Sequence, residues 1–291
     1  MFGDFLQFLV SGITVGTTYA LVGLGFSIIY NASQVINFAQ GEFVMIGGMA
    51  TVSLLALGVP MPLAIGLAIL ATVFVGMALE KFAVEPARGA SVVSLIIITI
   101  GASIFLRGLA LLVWDKNFHA MPPFTSDTPI RFWGASILPQ SLWVLGVAFL
   151  LVVALGFFFN RTMLGKAMLA TACNPLSAKL VGIDTNFVLM VSFGLAALLG
   201  SVAGILVAPI TLTSYDVGVM LGLKGFSAAI LGGLGNSLGV ILGGLIVGVA
   251  EQMSAGYISS SYKDAVAFII ILAVLFFRPS GLFGTGGTDR V

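Results

Sequence analysis

Charged residues are scarce in this chain. Asp, Glu, Lys and Arg make up 8% of its 291 residues, whereas 59% are hydrophobic. A soluble domain carries about 25% charged residues, so the composition predicts an integral membrane protein. The formal net charge is only +1, without the clustered Lys and Arg that nucleic-acid binding requires. One cysteine, Cys173, excludes a disulfide within the chain.

Catalytic and cofactor-binding motifs are also lacking. The stretch 164–167 (LGKA) resembles the end of a phosphate-binding loop, but that motif needs Gly at 160 and Ser or Thr at 167, where this chain has Asn160 and Ala167. The stretch 235–239 (GNSLG) fits the G-x-S-x-G nucleophile pattern, yet it lies in transmembrane sequence and the single histidine, His119, lies in a distant loop. No Cys and His set with metal-ligand spacing exists. We therefore expect a non-catalytic protein that binds no cofactor, ATP included.

Repeated apolar runs near 20 residues predict a polytopic α-helical bundle, since a strand barrel would show ten-residue alternation. Asn, Gln and Gly interrupt the apolar sequence at 31–41 and 232–237, which predicts broken or short helices there. The fold class is therefore all-α, with one transmembrane domain over residues 1–291 and eight or nine spans. Nine apolar segments can be drawn: 6–30, 36–57, 62–80, 92–113, 142–159, 187–208, 217–235, 238–253 and 264–278.

Basic residues in the connecting loops predict the orientation of the chain. The loop 80–91 and the polar break 160–186 carry Lys and Arg and are placed inside, and the loop 115–141 is placed outside. The N-terminus is then outside and the tail with Arg290 inside. The start of the chain has no basic region and no small-residue cleavage site, so we expect the first helix to be retained. The loops expected on the outer face are 58–62, 115–141, 209–216 and 254–263.

Two halves of the chain share a pattern. Glu80 precedes Arg107 by 27 residues, and Glu251 precedes Arg278 by the same 27 residues. In the expected orientation Glu80 lies inside and Glu251 outside, which predicts an inverted repeat of the kind found in transporters. The alternative is a chance recurrence among Leu- and Gly-rich helices.

Glycine recurs at four-residue spacing in several apolar segments, for example Gly12 with Gly16 and Gly244 with Gly248. This spacing places glycines on one helix face and predicts a close approach of neighbouring backbones.

Ionisable residues within apolar segments are candidates for function, because burying a charge in the membrane is costly. Arg107 lies about a turn and a half from the expected outer end of its helix and is interpreted as an anchor that extends to the interface. Glu42 and Lys224 lie beside the two helix breaks. They are candidates for a transport path or gate, or for structural pairing, including with each other.

The polar break 160–186 contains a predicted short helix. Asn174 and Pro175 have the capping and first-turn chemistry of a helix start, and Gly182 predicts its end. Leu176 and Leu180 then share one face. The helix either lies on lipid or docks a soluble partner, and composition leaves both open. A residue among 184–186 is expected to cap the next span.

Four blocks of sequence carry a family resemblance: 19–30 (YALVGLGFSIIY), 35–42 (VINFAQGE), 224–251 (KGFSAAILGGLGNSLGVILGGLIVGVAE) and 262–284 (YKDAVAFIIILAVLFFRPSGLFG). With them the chain resembles, over nearly its whole length, the permease subunits of branched-chain amino acid ABC transporters, in particular the LivH type. The resemblance implies import of Leu, Ile or Val across a bacterial inner membrane. It also implies a homologous second permease that forms a heterodimer, two cytoplasmic ATPases that use ATP, and a periplasmic solute-binding protein.

The resemblance also implies roles for particular residues. A coupling helix over 170–182 would contact an ATPase, and substrate would pass the breaks at 31–42 and 224–237. Many relatives carry His where this chain has Gln40, so a proton-linked role is not expected there. The residues assigned to coupling are Lys166, Ala170, Asn174, Pro175, Leu176, Lys179, Leu180 and Gly182. Those assigned to the path are Asn37, Phe38, Gln40, Glu42, Lys224, Phe226, Gly232, Gly233 and Asn236.

Two alternatives stay open. Permeases of the same family handle urea, short amides or other amino acids, so the substrate is not fixed by the resemblance. A stand-alone transporter driven by an ion gradient would also fit an inverted repeat and an intramembrane Glu42.

Overall fold

The computed structural model describes residues 2–126, 128–132 and 134–284. Every one of the nine apolar segments corresponds to a helix, and two further helices lie in the break at 160–186. The helices are α1 (Phe2–Ser33), α2 (Gln40–Ala56), α3 (Met61–Leu79), α4 (Val92–Trp114), α5 (Pro139–Arg161), α6 (Met163–Cys173), α7 (Pro175–Leu180), α8 (Thr185–Thr211), α9 (Val217–Gly232), α10 (Ser237–Tyr257) and α11 (Lys263–Phe277). A two-stranded antiparallel hairpin, β1 (Ile130–Phe132) and β2 (Ala135–Ile137), precedes α5.

Seven helices in the described part of the chain are long and apolar enough to cross a membrane, and α2, α6 and α9 are shorter apolar helices. The predicted short helices at the two breaks are therefore confirmed, since α2 has 17 residues and α9 has 16. The breaks are narrower than expected, because α1 continues to Ser33 and α9 to Gly232.

The centre of the bundle is formed by α1 and α8. The apolar windows of these two helices are 89% and 78% buried, whereas those of α4, α5 and α11 are each 11% buried. Leu21 and Phe26 of α1 pack in one cluster with Val44 of α2 and with Leu199 and Leu206 of α8. The outer helices present apolar side chains outward, as lipid-facing helices do.

The helix contacts support an internal repeat. The long central helix of each half packs on helices of the other half. Helix α1 packs on α9 and α10, and α8 packs on α2 and α3. Each long central helix also ends at a non-glycine residue with positive φ, Gln34 (57°) and Leu212 (65°). The two glutamates of the sequence pattern are alike in burial but not in partners, since Glu80 pairs with Arg88 and Glu251 with Lys224.

Loops gather at two opposite ends of the bundle. At the first, the hairpin face, Gln7 Oε1 accepts a hydrogen bond from Ser136 N at 2.6 Å, and His119 and Thr213 exchange two backbone hydrogen bonds. At the second, the basic face, Arg88 contacts Asn186 and Leu282 N donates to Leu231 O at 2.8 Å. The basic face carries Lys81, Arg88, Arg161, Lys166, Lys179 and Arg278, and the hairpin face carries Lys116, Arg131 and Lys263.

The glycines of α1 and α10 bring the two backbones into contact, as their spacing predicted. A Cβ atom on Gly16 would lie 2.7 Å from Gly244 O, and one on Gly248 would lie 2.3 Å from Gly16 Cα. A Cβ on Gly204 of α8 would lie 2.0 Å from Val44 O of α2. Side chains cannot fit at these positions without a shift of the backbone.

Candidate functional site

A cavity of about 220 Å³ opens between α2, α4 and α9, close to the middle of the bundle. Ser103 lines it and is the twelfth of the 23 residues of α4. The cavity combines two charged side chains with aromatic and aliphatic walls. Its lining residues include Phe26, Phe38, Glu42, Ile100, Ser103, Ile104, Arg107, Gly218, Gly222 and Phe226.

Glu42 is the most enclosed polar group in this cavity. It lies in the first turn of α2 and is 1% exposed. Its Oε1 accepts a hydrogen bond from Ser103 Oγ at 2.7 Å, while its Oε2 has no hydrogen-bond partner among the described residues. Gly218 leaves room for that oxygen, since a Cβ at residue 218 would lie 3.1 Å from it.

Three phenylalanines form one wall of the cavity. The ring centroid of Phe226 lies 5.5 Å from that of Phe26 and 5.5 Å from that of Phe38. Phe38 belongs to the link between α1 and α2 and is held there by its backbone N, which donates to Thr99 Oγ1 at 3.2 Å. The wall therefore joins elements from both halves of the chain.

Two polar residues, Asn37 in the α1–α2 link and Gln40 at the start of α2, are buried beside the cavity without lining it. Asn37 Oδ1 accepts from Ala39 N at 3.1 Å, and Gln40 Nε2 donates to Ala196 O of α8 at 3.0 Å. A Cβ on Gly25 would lie 2.0 Å from Gln40 Nε2, so this glycine makes space for the amide. These contacts fix the link against α1 and α8.

Lys224 lies on the opposite side of α9 from the cavity. Its Nζ donates to Glu251 Oε1 at 2.8 Å and to Asp264 Oδ1 at 2.6 Å, and Tyr19 Oη donates to Glu251 Oε2 at 2.8 Å. The expected alternative of a pair between Lys224 and Glu42 is therefore wrong. The cluster of Tyr19, Lys224, Glu251 and Asp264 therefore links α1, α9, α10 and α11.

Gly232, Gly233 and Asn236 lie at the basic face, away from the cavity. A Cβ on Gly232 would lie 2.2 Å from Gly239 O, and Gly233 has a φ of 97° that favours glycine. Asn236 caps α10 by accepting from Gly239 N at 3.1 Å, and its Nδ2 donates to Phe283 O at 2.9 Å. The C-terminal segment is thus fastened to the α9–α10 link.

The cavity brings together three of the nine residues assigned to the path, namely Phe38, Glu42 and Phe226. Sequence reasoning missed Phe26 and Ser103, and it interpreted Arg107 as an anchor although Arg107 lines the cavity. The charge of Arg107 within an apolar span was the available signal. Arg107 follows Glu42 by 65 positions, and whether the two line one cavity depends on how α2 and α4 pack.

The predicted helix in the polar break is present as α7. Asn174 Oδ1 accepts from Ser177 N at 3.0 Å, Pro175 occupies the first turn, and Gly182 follows the helix with a φ of 87°. Asp184 caps α8.

An eleven-residue helix, α6, precedes α7 and was not predicted. Thr162 caps it by accepting from Gly165 N at 3.0 Å. Leu176 and Leu180 of α7 are 75% and 88% exposed at the basic face. Lys166, Ala170 and Lys179 are exposed beside them.

Comparisons with known proteins agree over almost the full chain. The family model described as "Branched-chain amino acid transport system / permease component" matches residues 8–275. The chain is 35% identical to the high-affinity branched-chain amino acid transport system permease protein BraD of Pseudomonas aeruginosa and 33% identical to LivH of Escherichia coli K12, covering 99% of this chain and 98% of each relative.

More distant similarity is found to a ribose permease and to one solved structure. The ribose import permease protein RbsC of Escherichia coli K12 is 25% identical, over 88% of this chain and 81% of that protein. The structure of PsaBC from Streptococcus pneumoniae in complex with Fab matches with a TM-score of 0.53 at 15% identity, over 96% of this chain and 97% of that one, which indicates a shared fold. The chain therefore belongs to the family of permease components of branched-chain amino acid transport systems.

Proposed function

We propose that this chain is a membrane subunit of an ABC importer that carries Leu, Ile or Val. Two relatives that match it over nearly their full length, BraD and LivH, are named as high-affinity branched-chain amino acid permease proteins. The chain lacks a phosphate-binding loop, so the ATP that drives import is bound and hydrolysed by two partner ATPases. A periplasmic binding protein delivers the substrate, and a homologous permease completes the membrane path as a heterodimer.

The proposed orientation places the hairpin face outside and the basic face inside. In the described part of the chain, six Lys and Arg residues lie at the basic face and three at the hairpin face. An excess of Lys and Arg in short loops marks the cytoplasmic side. The N-terminus of α1 is then outside, where the binding protein docks, and α6 and α7 lie inside, where the ATPases dock.

The observation that carries this proposal is the exposure of Leu176 and Leu180 at the basic face. Apolar side chains on one face of a capped helix, outside the bundle, indicate a surface that another protein covers. The helix is fixed at both ends by Asn174 and Gly182. The helix α7 can therefore transmit a movement of the ATPase as a rigid unit.

A path from α7 to the cavity follows from the contacts. Three residues separate α7 from Asp184, which caps the central helix α8. In turn α8 packs on α2, and the Gly204 backbone lies against Val44. Movement of α7 thus reaches the helix that carries Glu42. Nucleotide drives this change because it binds two conformations of the ATPases with different affinity.

The test uses the complete transporter in liposomes. In the L176D/L180D variant we expect ATP-dependent leucine uptake to fall at least about tenfold, since two charges replace the apolar contact, a loss of more than about 1.4 kcal/mol. The free permease keeps its thermal stability because both side chains are exposed.

The matched control is L176M/L180M. It changes the same two exposed side chains but keeps them apolar and of similar volume. This variant retains uptake. Wild-type uptake by L176D/L180D would show that α7 does not couple the ATPases. Uptake driven by an ion gradient without ATPases would overturn the ABC assignment itself.

A further inference from the structure

The cavity between α2, α4 and α9 lies at the depth where a transporter holds its substrate. Eleven residues of α4 lie on either side of Ser103, so it is about 16 Å from each end of the helix at about 1.5 Å per residue. The hydrocarbon core of a bilayer is about 30 Å thick. The cavity is therefore near the midplane, between elements of the two halves, where repeat-built transporters place their substrate sites.

Side chains of opposite charge line the cavity at this depth. Glu42 and Arg107 line the same cavity, and Glu42 Oε2 is buried without a hydrogen-bond partner among the described residues. A buried carboxylate oxygen without a donor costs free energy, which a ligand with an N–H donor would recover. Ser103 already satisfies Oε1, so the free oxygen is the one available to a ligand.

The remaining walls are apolar. Phe26, Phe38 and Phe226 form one side, and Ile100 and Ile104 form another. The volume of about 220 Å³ equals roughly seven water molecules at about 30 Å³ each. A ligand that suits this site is a single small zwitterion with a compact apolar side chain.

We propose that this cavity is the intramembrane binding site for the α-amino acid. Glu42 Oε2 accepts hydrogen bonds from the ammonium group, Arg107 pairs with the carboxylate, and the phenylalanine wall receives the branched side chain. The site rests on the proposed function, and it adds the groups that hold the substrate during transport. The outward edge of the cavity, where Ile100 and Ile104 are 41% and 57% exposed, is then closed by the second permease.

The test compares neutral and charge-conserving variants of the assembled transporter in liposomes. We expect E42Q and R107Q to lower the maximal rate of leucine uptake about tenfold or more, because each removes a charge-assisted hydrogen bond. The concentration of loaded binding protein that gives half-maximal uptake stays unchanged, since it reflects docking at the hairpin face. E42D and R107K retain more uptake than their neutral counterparts because they keep the charge.

Two controls match the chemistry of the substitutions. E85Q and R278Q make the same changes at side chains outside the cavity, and both retain uptake. Thermal unfolding of each purified permease shows that the variants fold. Should E42Q and R107Q transport leucine within twofold of wild type, or should E42D and R107K be as impaired as the neutral variants, the charged site is wrong. In that case L176D/L180D would still lose uptake, which separates failure of the site from failure of the permease function.

Discussion

The buried cluster around Lys224 gives a sharp prediction for stability. Lys224 and Glu251 have side chains that are 6% and 2% exposed, and Asp264 is 40% exposed. Replacing Lys224 by Met removes the cation and leaves Glu251 with Tyr19 Oη as its remaining side-chain donor among the described residues. Removing one partner of a buried pair costs about 3 to 5 kcal/mol, because the other charge stays buried without compensation. K224M should therefore lower the free energy of unfolding by about that amount.

The assay is thermal unfolding of the purified permease in detergent. A loss of about 3 kcal/mol lowers Tm by on the order of 10 °C for a chain of this size. D264N should cost less than about 1 kcal/mol, because Asp264 is partly exposed and exposed ion pairs contribute little. The double variant K224M/E251Q should recover much of the loss, since neither buried charge remains.

Two results would refute this reasoning. A Tm of K224M within about 2 °C of wild type would mean that the cluster does not hold the four helices together. A double variant as unstable as K224M alone would mean that the loss comes from packing of the lysine stem and not from the orphaned carboxylate.

Two further predictions concern backbone contacts and caps. G204A should lower Tm markedly because its Cβ would lie 2.0 Å from Val44 O. The control G146A, which has no atom within 4 Å of the added Cβ, should be neutral or slightly stabilising. Equal Tm values for the two variants would contradict the close packing of α2 on α8. N236A should lower the free energy of unfolding by about 1 kcal/mol through loss of the α10 cap, and further through loss of the hydrogen bond to Phe283 O. Chemical denaturation measures this change. N236D should restore the cap but not the hydrogen bond to Phe283 O.

Local chemistry made much of the fold predictable. Each apolar run became a helix because a backbone in lipid must satisfy its own hydrogen bonds. Asn174, Pro175 and Gly182 delimited α7 correctly because capping depends on residues within one turn. The helix α6 escaped prediction because Gly165 and Lys166 made its eleven residues resemble a loop, and its signal, the Thr162 cap, is weak without an apolar run of spanning length.

The partners of the charged residues could not be read from the sequence. Glu42 meets Ser103 across 61 positions, and Lys224 meets Glu251 and Asp264 across 27 and 40 positions. Such pairs depend on which faces of α2, α9 and α10 meet, and glycines at the contacts decide that. A charge within a span indicated that the residue matters. The side of the helix from which the side chain projects then decided its surroundings, which are the cavity for Glu42 and the cluster with Glu251 and Asp264 for Lys224.

The fastening of the C-terminal segment has a practical consequence. Leu282 N and Phe283 N donate to Leu231 O and Gly232 O at 2.8 and 3.2 Å, so the end of the described chain moves with the α9–α10 link. A fluorophore attached at residue 282, where the Leu282 side chain is 38% exposed, would report on movement of that link with no substitution inside the membrane. A bulky protein fused close to that point would pull on the same three hydrogen bonds, two from the tail and one from Asn236, so an affinity tag is better separated from it by a long flexible linker.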